Sequence, residues 1–195
     1  MRKPIYWIFF TIVFLMNTGS PAAADLKDGF FDITWGTNLS QLDGFRKISE
    51  NLNVAYFVSD QRAYQIADIK ITDVVYGNFE NQFFAVFINI AAIDVFAQLK
   101  RYITHKYGLP KIKLSNIQAG DQLTVYQWNY EKTKTKLKIY ENSDNMKLAF
   151  YYTPLSAQVN EAQLEAFEET HKKRIFPLDK TQMQQAMQLR NLMEF

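Results

Sequence analysis

Along this chain the spacing of apolar residues switches between a period of two and a period near 3.6, and each switch marks an element. "FFDITWGT" (30–37) predicts a short strand. "TNLSQLDGF" predicts a helix capped by Thr37 or Asn38 and stopped at Gly44. "NVAYFVS" (53–59) predicts a strand, and "IKITDVVYGNF" with "NQFFAVFINIAA" a hairpin turning near Asn78 to Asn81. The second hairpin arm is apolar on both sides, with Phe84, Val86 and Ile88 alternating against Phe83, Ala85 and Phe87. Such a strand belongs in the centre of a sheet covered on both faces. In "AIDVFAQLKRYITHKYGLP" the residues Val95, Phe96, Leu99, Tyr102 and Ile103 fall at helical spacing, ended by Gly108 and Pro110.

Three strands follow, "LTVYQWNY", "KTKLKIY" and "MKLAFYY", with "ENSDN" as a turn. Beyond Pro154 the pattern predicts a helix over "VNEAQLEAFEETHKKR", with Asn160 and Gln163 as a capping pair. Pro177 interrupts, and Asp179 with Gln182 caps a last helix running through Met193. Its apolar stripe, Met183, Ala186, Met187 and Met193, is built to dock on the domain or to be offered to another protein's groove. The order of elements implies an α+β fold: antiparallel sheet built from two helix-plus-three-strand units, beginning near 38 and near 94, followed by two C-terminal helices.

The start of the chain changes which residues matter. Arg2 and Lys3 precede an apolar run from Pro4 to Met16, and Ala22 and Ala24 stand before Asp25. That order is a secretory signal peptide over 1–24, since the run is shorter than the roughly 20 residues a spanning helix needs. The expected organisation is an α+β domain over 25–154 and a helical extension over 155–195, periplasmic or secreted, with no membrane span after cleavage. There is no cysteine, so neither disulfides nor a lipid-bearing N-terminal cysteine is available, and stability rests on packing.

Without Arg2 and Lys3 the chain carries 20 basic and 20 acidic residues. A neutral exported protein is a poor nucleic-acid binder. The charge is uneven, however: residues 25–99 hold 10 acids and 5 bases, and residues 100–154 hold 4 acids and 10 bases.

"DITWGTNLSQL" resembles the opening of uncharacterised exported bacterial domain families with a W-G-[S/T]-x-L motif, and "YITHKYGLP" is similar to their helix ending in Y-G-x-P. The order of elements over 30–152 also resembles the beta-lactamase inhibitor protein and small barrel-assembly lipoproteins, without their cysteines. The resemblance implies a non-enzymatic envelope or inhibitor-like module and assigns no functional residue.

Signatures of catalysis are sparse. His105 sits late in a helix with no acid three or four residues before it. Glu168 and His171 form an E-x-x-H pair, half of a bundle di-metal site, but no second pair exists. There is no G-x-S-x-G elbow and no Gly-rich phosphate loop. Asp68 and Asp73, in or near a strand, and Asp28 and Asp32, in the first segment, leave carboxylate chemistry open, with ordinary surface acids as the plain reading. Asn38-Leu39-Ser40 is a formal sequon that carries no weight beside a bacterial-type export signal.

The sharpest pattern is "EKTKTKLKIY", where Lys132, Lys134, Lys136 and Lys138 alternate, preceded by alternating Tyr126, Trp128 and Tyr130. Either the aromatics join Leu137 and Ile139 in the core and the lysines face water, or aromatics and lysines make one exposed surface for an acidic partner. These seven residues are the candidate binding site. The expected function is an exported, non-enzymatic binding module of the bacterial envelope that takes a protein or acidic envelope partner and needs no cofactor or metal. The competing classes are a hydrolase or metal-dependent enzyme using carboxylates, and a carrier of an apolar ligand.

Overall fold

The computed structural model describes residues 26–118, 121–140 and 145–172. The signal-peptide reading, the "ENSDN" turn residues 141–144 and the last helix with its methionine stripe lie outside the described residues.

The chain opens with a tight hairpin, β1 (Gly29–Phe30) and β2 (Ile33–Thr34), and a 3-10 turn at Leu39–Gln41. Six strands follow: β3 (Arg46–Asn51), β4 (Val54–Val58), β5 (Tyr64–Ile66), β6 (Ile69–Ile71), β7 (Val74–Phe79) and β8 (Gln82–Ile90). Helix α1 (Ile93–Tyr107) leads to β9 (Lys111–Gln118), β10 (Asp121–Tyr130), β11 (Thr133–Tyr140) and β12 (Met146–Tyr152). Helix α2 (Thr153–Lys172) continues directly from β12.

Eight strands form one antiparallel sheet in the order β3-β4-β7-β8-β12-β11-β10-β9, and β5 and β6 pair separately. The sheet is thus two four-stranded halves joined where β8 meets β12, and α1 carries the chain from the centre, β8, to the far edge, β9. The expectation of two helix-plus-three-strand units is overturned: among the described residues the protein is mostly β, with one eight-stranded antiparallel sheet, two small two-stranded ones and two α-helices.

Two local features explain the difference. The first is "TNLSQLDGF", which supports only the short 3-10 turn. The Asn38 side chain caps it by accepting the Ser40 N–H at 3.1 Å, and Leu42 then returns to extended backbone. Gly44 at φ 80 turns the chain into β3. The second is the exposure of both edge strands. All six residues of β3 are exposed, as are Lys111 to Leu114 of β9, so neither strand has the buried side that marks an inner one.

The hairpin between β7 and β8 turns through Glu80 and Asn81, both at positive φ, as do Leu52 and Asn53 between β3 and β4. Two positive φ values in a two-residue loop match the right-handed twist of the strands. A bulge interrupts β8: Gly77 faces Ala85 but Asn78 faces Phe83, leaving Phe84 as the extra residue. The bulge swaps the sides expected from strict alternation. Phe83 joins Val86, Ile88 and Ile90 on one face, and Phe84 joins Ala85 and Phe87 on the other.

The larger core lies on the first face. There α1 contributes Phe96, Leu99 and Ile103, the N-terminal segment contributes Leu26, Phe30, Ile33, Trp35 and Leu39, and the sheet contributes Trp128, Leu137, Leu148 and Phe150. The W-G-T-x-L stretch fixes this segment to the sheet. Trp35 stacks on Phe83 at 4.7 Å and donates its indole N–H to the Leu26 carbonyl at 3.2 Å. Gly36, at φ 86, donates its N–H to the Phe83 carbonyl at 2.8 Å, and Phe83 N–H returns to the Thr37 carbonyl at 2.9 Å.

The second face is covered by α2, whose Leu155 and Val159 meet Val54, Phe79, Phe84, Ala149 and Tyr151. This helix starts at Thr153 rather than near Asn160. Pro154 falls in its first turn, where a missing N–H costs nothing. Thr153 N–H donates to the Lys132 carbonyl at 2.7 Å, tying the helix start to the β10–β11 turn. Asn160 is therefore an exposed mid-helix residue, and Gln163 is buried.

Candidate functional site: a lysine-lined sheet face

The β10–β11 register decides how the seven candidate residues are arranged. Tyr126 faces Leu137, Trp128 faces Thr135 and Tyr130 faces Thr133, whereas Gln127 faces Lys136 and Asn129 faces Lys134. Directly opposed residues share a face, so the aromatic row and the lysine row lie on opposite sides of the sheet. The structure does not bring them together into one surface.

The aromatic row belongs to α1. Trp128 is 3% exposed and donates its indole N–H to the Gly108 carbonyl at 2.8 Å, fastening the helix C-terminus to β10. Tyr126 packs edge-on to Phe96, with the Lys100 ammonium 3.8 Å from its ring centre. Tyr130 lies outermost, 5.2 Å from the Tyr107 ring.

The lysine row belongs to the α2 side. Lys138 faces Lys147 on β12 and Val125 on β10, and Val125 and Gln127 face Lys113 and Lys111 on β9. Six lysines, 111, 113, 134, 136, 138 and 147, therefore occupy one face of four adjacent strands. The one acidic residue within β9–β12 is Asp121, which opens β10 at its far end beyond the register shift. Sequence reasoning found Lys134, Lys136 and Lys138 but missed Lys111, Lys113 and Lys147. The same lysine alternation in "KIK", directly after Pro110, was the available signal.

Burial splits this face in two. Lys136 and Lys138 are only 7% and 8% exposed, so the expectation that the whole row faces water fails for its middle. Both make further contacts within the chain, and the Lys136 ammonium stands 5.7 Å from the ring centre of the fully buried Tyr151. Burial raises the pKa of Tyr151, helped by Tyr56 and Tyr140 nearby, and burial also raises those of Tyr56 and Tyr140. These phenols are neutral at physiological pH, so the inner part of the face has no anion from them. Lys111 and Lys113 are exposed, Lys134 is half-buried, and Lys132 is exposed on the adjoining turn.

The other sequence candidates are dispersed. His105 is exposed on α1, and the His171 side chain lies outside the described residues. Asp32 pairs with Arg62, whose guanidinium lies 5.1 Å from the Phe45 ring centre. Asp73 accepts a bond from the Asn89 amide at 3.1 Å, and both line a 390 Å³ hollow together with Ile69, Ile90, Val95 and Met146. Among the described residues no three His, Asp or Glu side chains are placed to hold a metal ion, and no helix is long and apolar enough to cross a membrane. Comparison of the chain with family models, curated proteins and solved structures gives no match.

Proposed function

We propose that this chain is an exported, non-enzymatic binding module of the bacterial envelope that holds an acidic partner on the outer part of its lysine-lined sheet face. One observation carries the reading: the strand register collects six lysines on one face of β9–β12, strands whose one acidic residue is Asp121 at the far end of β10. Like charges set opposite one another weaken a sheet, so a set such as Lys138 and Lys147 costs stability, which a binding role would account for. Lys111, Lys113 and Lys134 form the accessible part; Lys136 and Lys138 are part of the fold beneath them. The aromatic row is assigned to packing, not to the partner.

Poly-L-glutamate serves as the defined acidic probe. The purified chain is expected to bind it with an affinity that falls as salt rises, because rim charges are screened over about 8 Å at physiological ionic strength. Lys111→Glu/Lys113→Glu/Lys134→Glu should abolish retention without changing the far-ultraviolet circular dichroism. Equal retention of the triple variant would place the site elsewhere.

A further inference from the structure

The two edges of the sheet are built differently. β3 carries a bulge between Lys47 and Ser49 and an ion pair between Lys47 and Glu50 at 2.7 Å, features that blunt an edge against further pairing. β9 is regular from Lys111 to Asn116, and its register shift comes only at the far end. Among the described residues no strand pairs with the outer side of β9. Its lysines point to one face, and Ile112 and Leu114, 60% and 64% exposed, point to the other, beside Tyr126 and the flank of α1. Leu109, just before the strand, is 90% exposed. A strand guarded only by charge would not also display two large aliphatic residues, with a third just before it.

We propose that β9 is a docking edge for an extended peptide segment of a partner protein in which acidic and apolar residues alternate. This rests on the acidic-partner reading above and adds the partner's conformation and pattern. An added strand lies about 4.8 Å away and hydrogen-bonds along the edge, with alternate side chains leaving opposite faces. Acidic side chains then meet Lys111 and Lys113, and apolar ones extend the row of Ile112 and Leu114. The same lysines reject a second copy of this chain. A two-fold antiparallel pairing of β9 with itself preserves the faces and sets lysine against lysine. Charge here selects the partner rather than merely closing the edge.

The probes are fluorescein-labelled Ser-Glu-Val-Glu-Val-Glu-Val-Ser and a block peptide of the same composition, Ser-Glu-Glu-Glu-Val-Val-Val-Ser, followed by anisotropy with the full chain. The alternating peptide is expected to bind at least about tenfold more tightly than the block peptide, because only alternation satisfies both faces at once. Two further peptides, N-methylated on the valines or on the glutamates, each block one hydrogen-bonding edge, and one of them should lose binding. Lys111→Glu/Lys113→Glu and, separately, Ile112→Ser/Leu114→Ser should each weaken the alternating peptide. All these positions are exposed, so folding is preserved.

Equal binding of the alternating and block peptides, or indifference to both N-methylations, overturns the edge proposal while leaving the acidic-face reading standing. Retention of poly-L-glutamate with no binding of either peptide does the same. Loss of both poly-L-glutamate and peptide binding overturns the two together. A dimer in sedimentation that the alternating peptide disperses would make a second copy the occupant and contradict the charge reasoning.

Discussion

Trp128→Phe isolates the division of labour between the sheet's two faces. The indole is buried under α1 and its N–H bonds to the Gly108 carbonyl at 2.8 Å. Phenylalanine keeps most of the ring packing but removes that donor, at the C-terminus of a helix where Gly108 is already at φ 84. Losing the bond costs about 1 kcal/mol, more when the carbonyl is left dry. Deleting the pyrrole edge of the ring removes roughly two carbon-equivalents at about 0.8 kcal/mol each and leaves a small cavity. The sum is a loss of about 2–4 kcal/mol. In urea titrations followed by circular dichroism, the midpoint should fall with little change in slope. In thermal scans the midpoint should drop by about 4–16 °C, at roughly 2–4 °C per kcal/mol for a chain of this size. Tyr130→Phe, at the exposed end of the same row, is the control and should cost no more than about 0.5 kcal/mol. A Trp128→Phe loss below about 0.5 kcal/mol would refute the burial of the aromatic row and return it to the binding surface.

Four further outcomes are expected. Gly29→Ala sets a Cβ 2.1 Å from the Ile33 carbonyl oxygen, so the β1–β2 hairpin must open and urea stability should fall by about 2 kcal/mol or more. Val159→Ala, at a fully buried position of α2, should cost about 1–3 kcal/mol in the same assay by emptying the contact with Phe84 and Tyr151. Asp32→Asn breaks the half-exposed ion pair to Arg62 and should cost no more than about 1 kcal/mol, the difference shrinking at high salt. Burial, reinforced by donation of its hydroxyl to Tyr64 at 3.0 Å, raises the pKa of Tyr76, and burial raises those of Tyr64 and Tyr151. The folded chain thus keeps protons that the unfolded chain releases near the ordinary tyrosine value of 10.0. Stability should therefore be flat below that pH and fall as pH climbs above it, with a shallower fall in Tyr76→Phe, measured by urea midpoints across the alkaline range.

Most inner strands and the existence of both described helices were legible: β8 is apolar on both sides, and α1 buries Phe96, Leu99 and Ile103 at helical spacing. The arm read over 69–79 is two strands, β6 pairing with β5 and β7 lying in the large sheet. What escaped was set by tertiary context. β3 is an edge without clean alternation, and β9 alternates only over its short start, Lys111 to Leu114, so the sheet's size and the path of α1 across it were not read. The bulge at Phe84 reverses two phenylalanines without any sequence mark other than Gly77, whose missing Cβ makes room for the Phe84 ring 3.0 Å away. For the candidate site, alternation located the lysine row, but parity within one strand says nothing of register across a turn. The pairing of Gln127 with Lys136 and of Asn129 with Lys134 separates lysines from aromatics, and only the burial of Lys136 and Lys138 in the fold shows that the middle of the row is enclosed.

The central claim is that Lys111, Lys113 and Lys134 form the reachable part of the lysine face and hold an acidic partner. Acetylation of lysine amines, read residue by residue by mass spectrometry with and without poly-L-glutamate, tests it most directly. The account predicts fast modification of Lys111 and Lys113 in the free chain, slow modification of Lys136 and Lys138, and protection by the polymer concentrated at 111, 113 and 134. Uniform protection that extends equally to Lys70 and Lys100, or rapid modification of Lys136 and Lys138 in the folded chain, would contradict it.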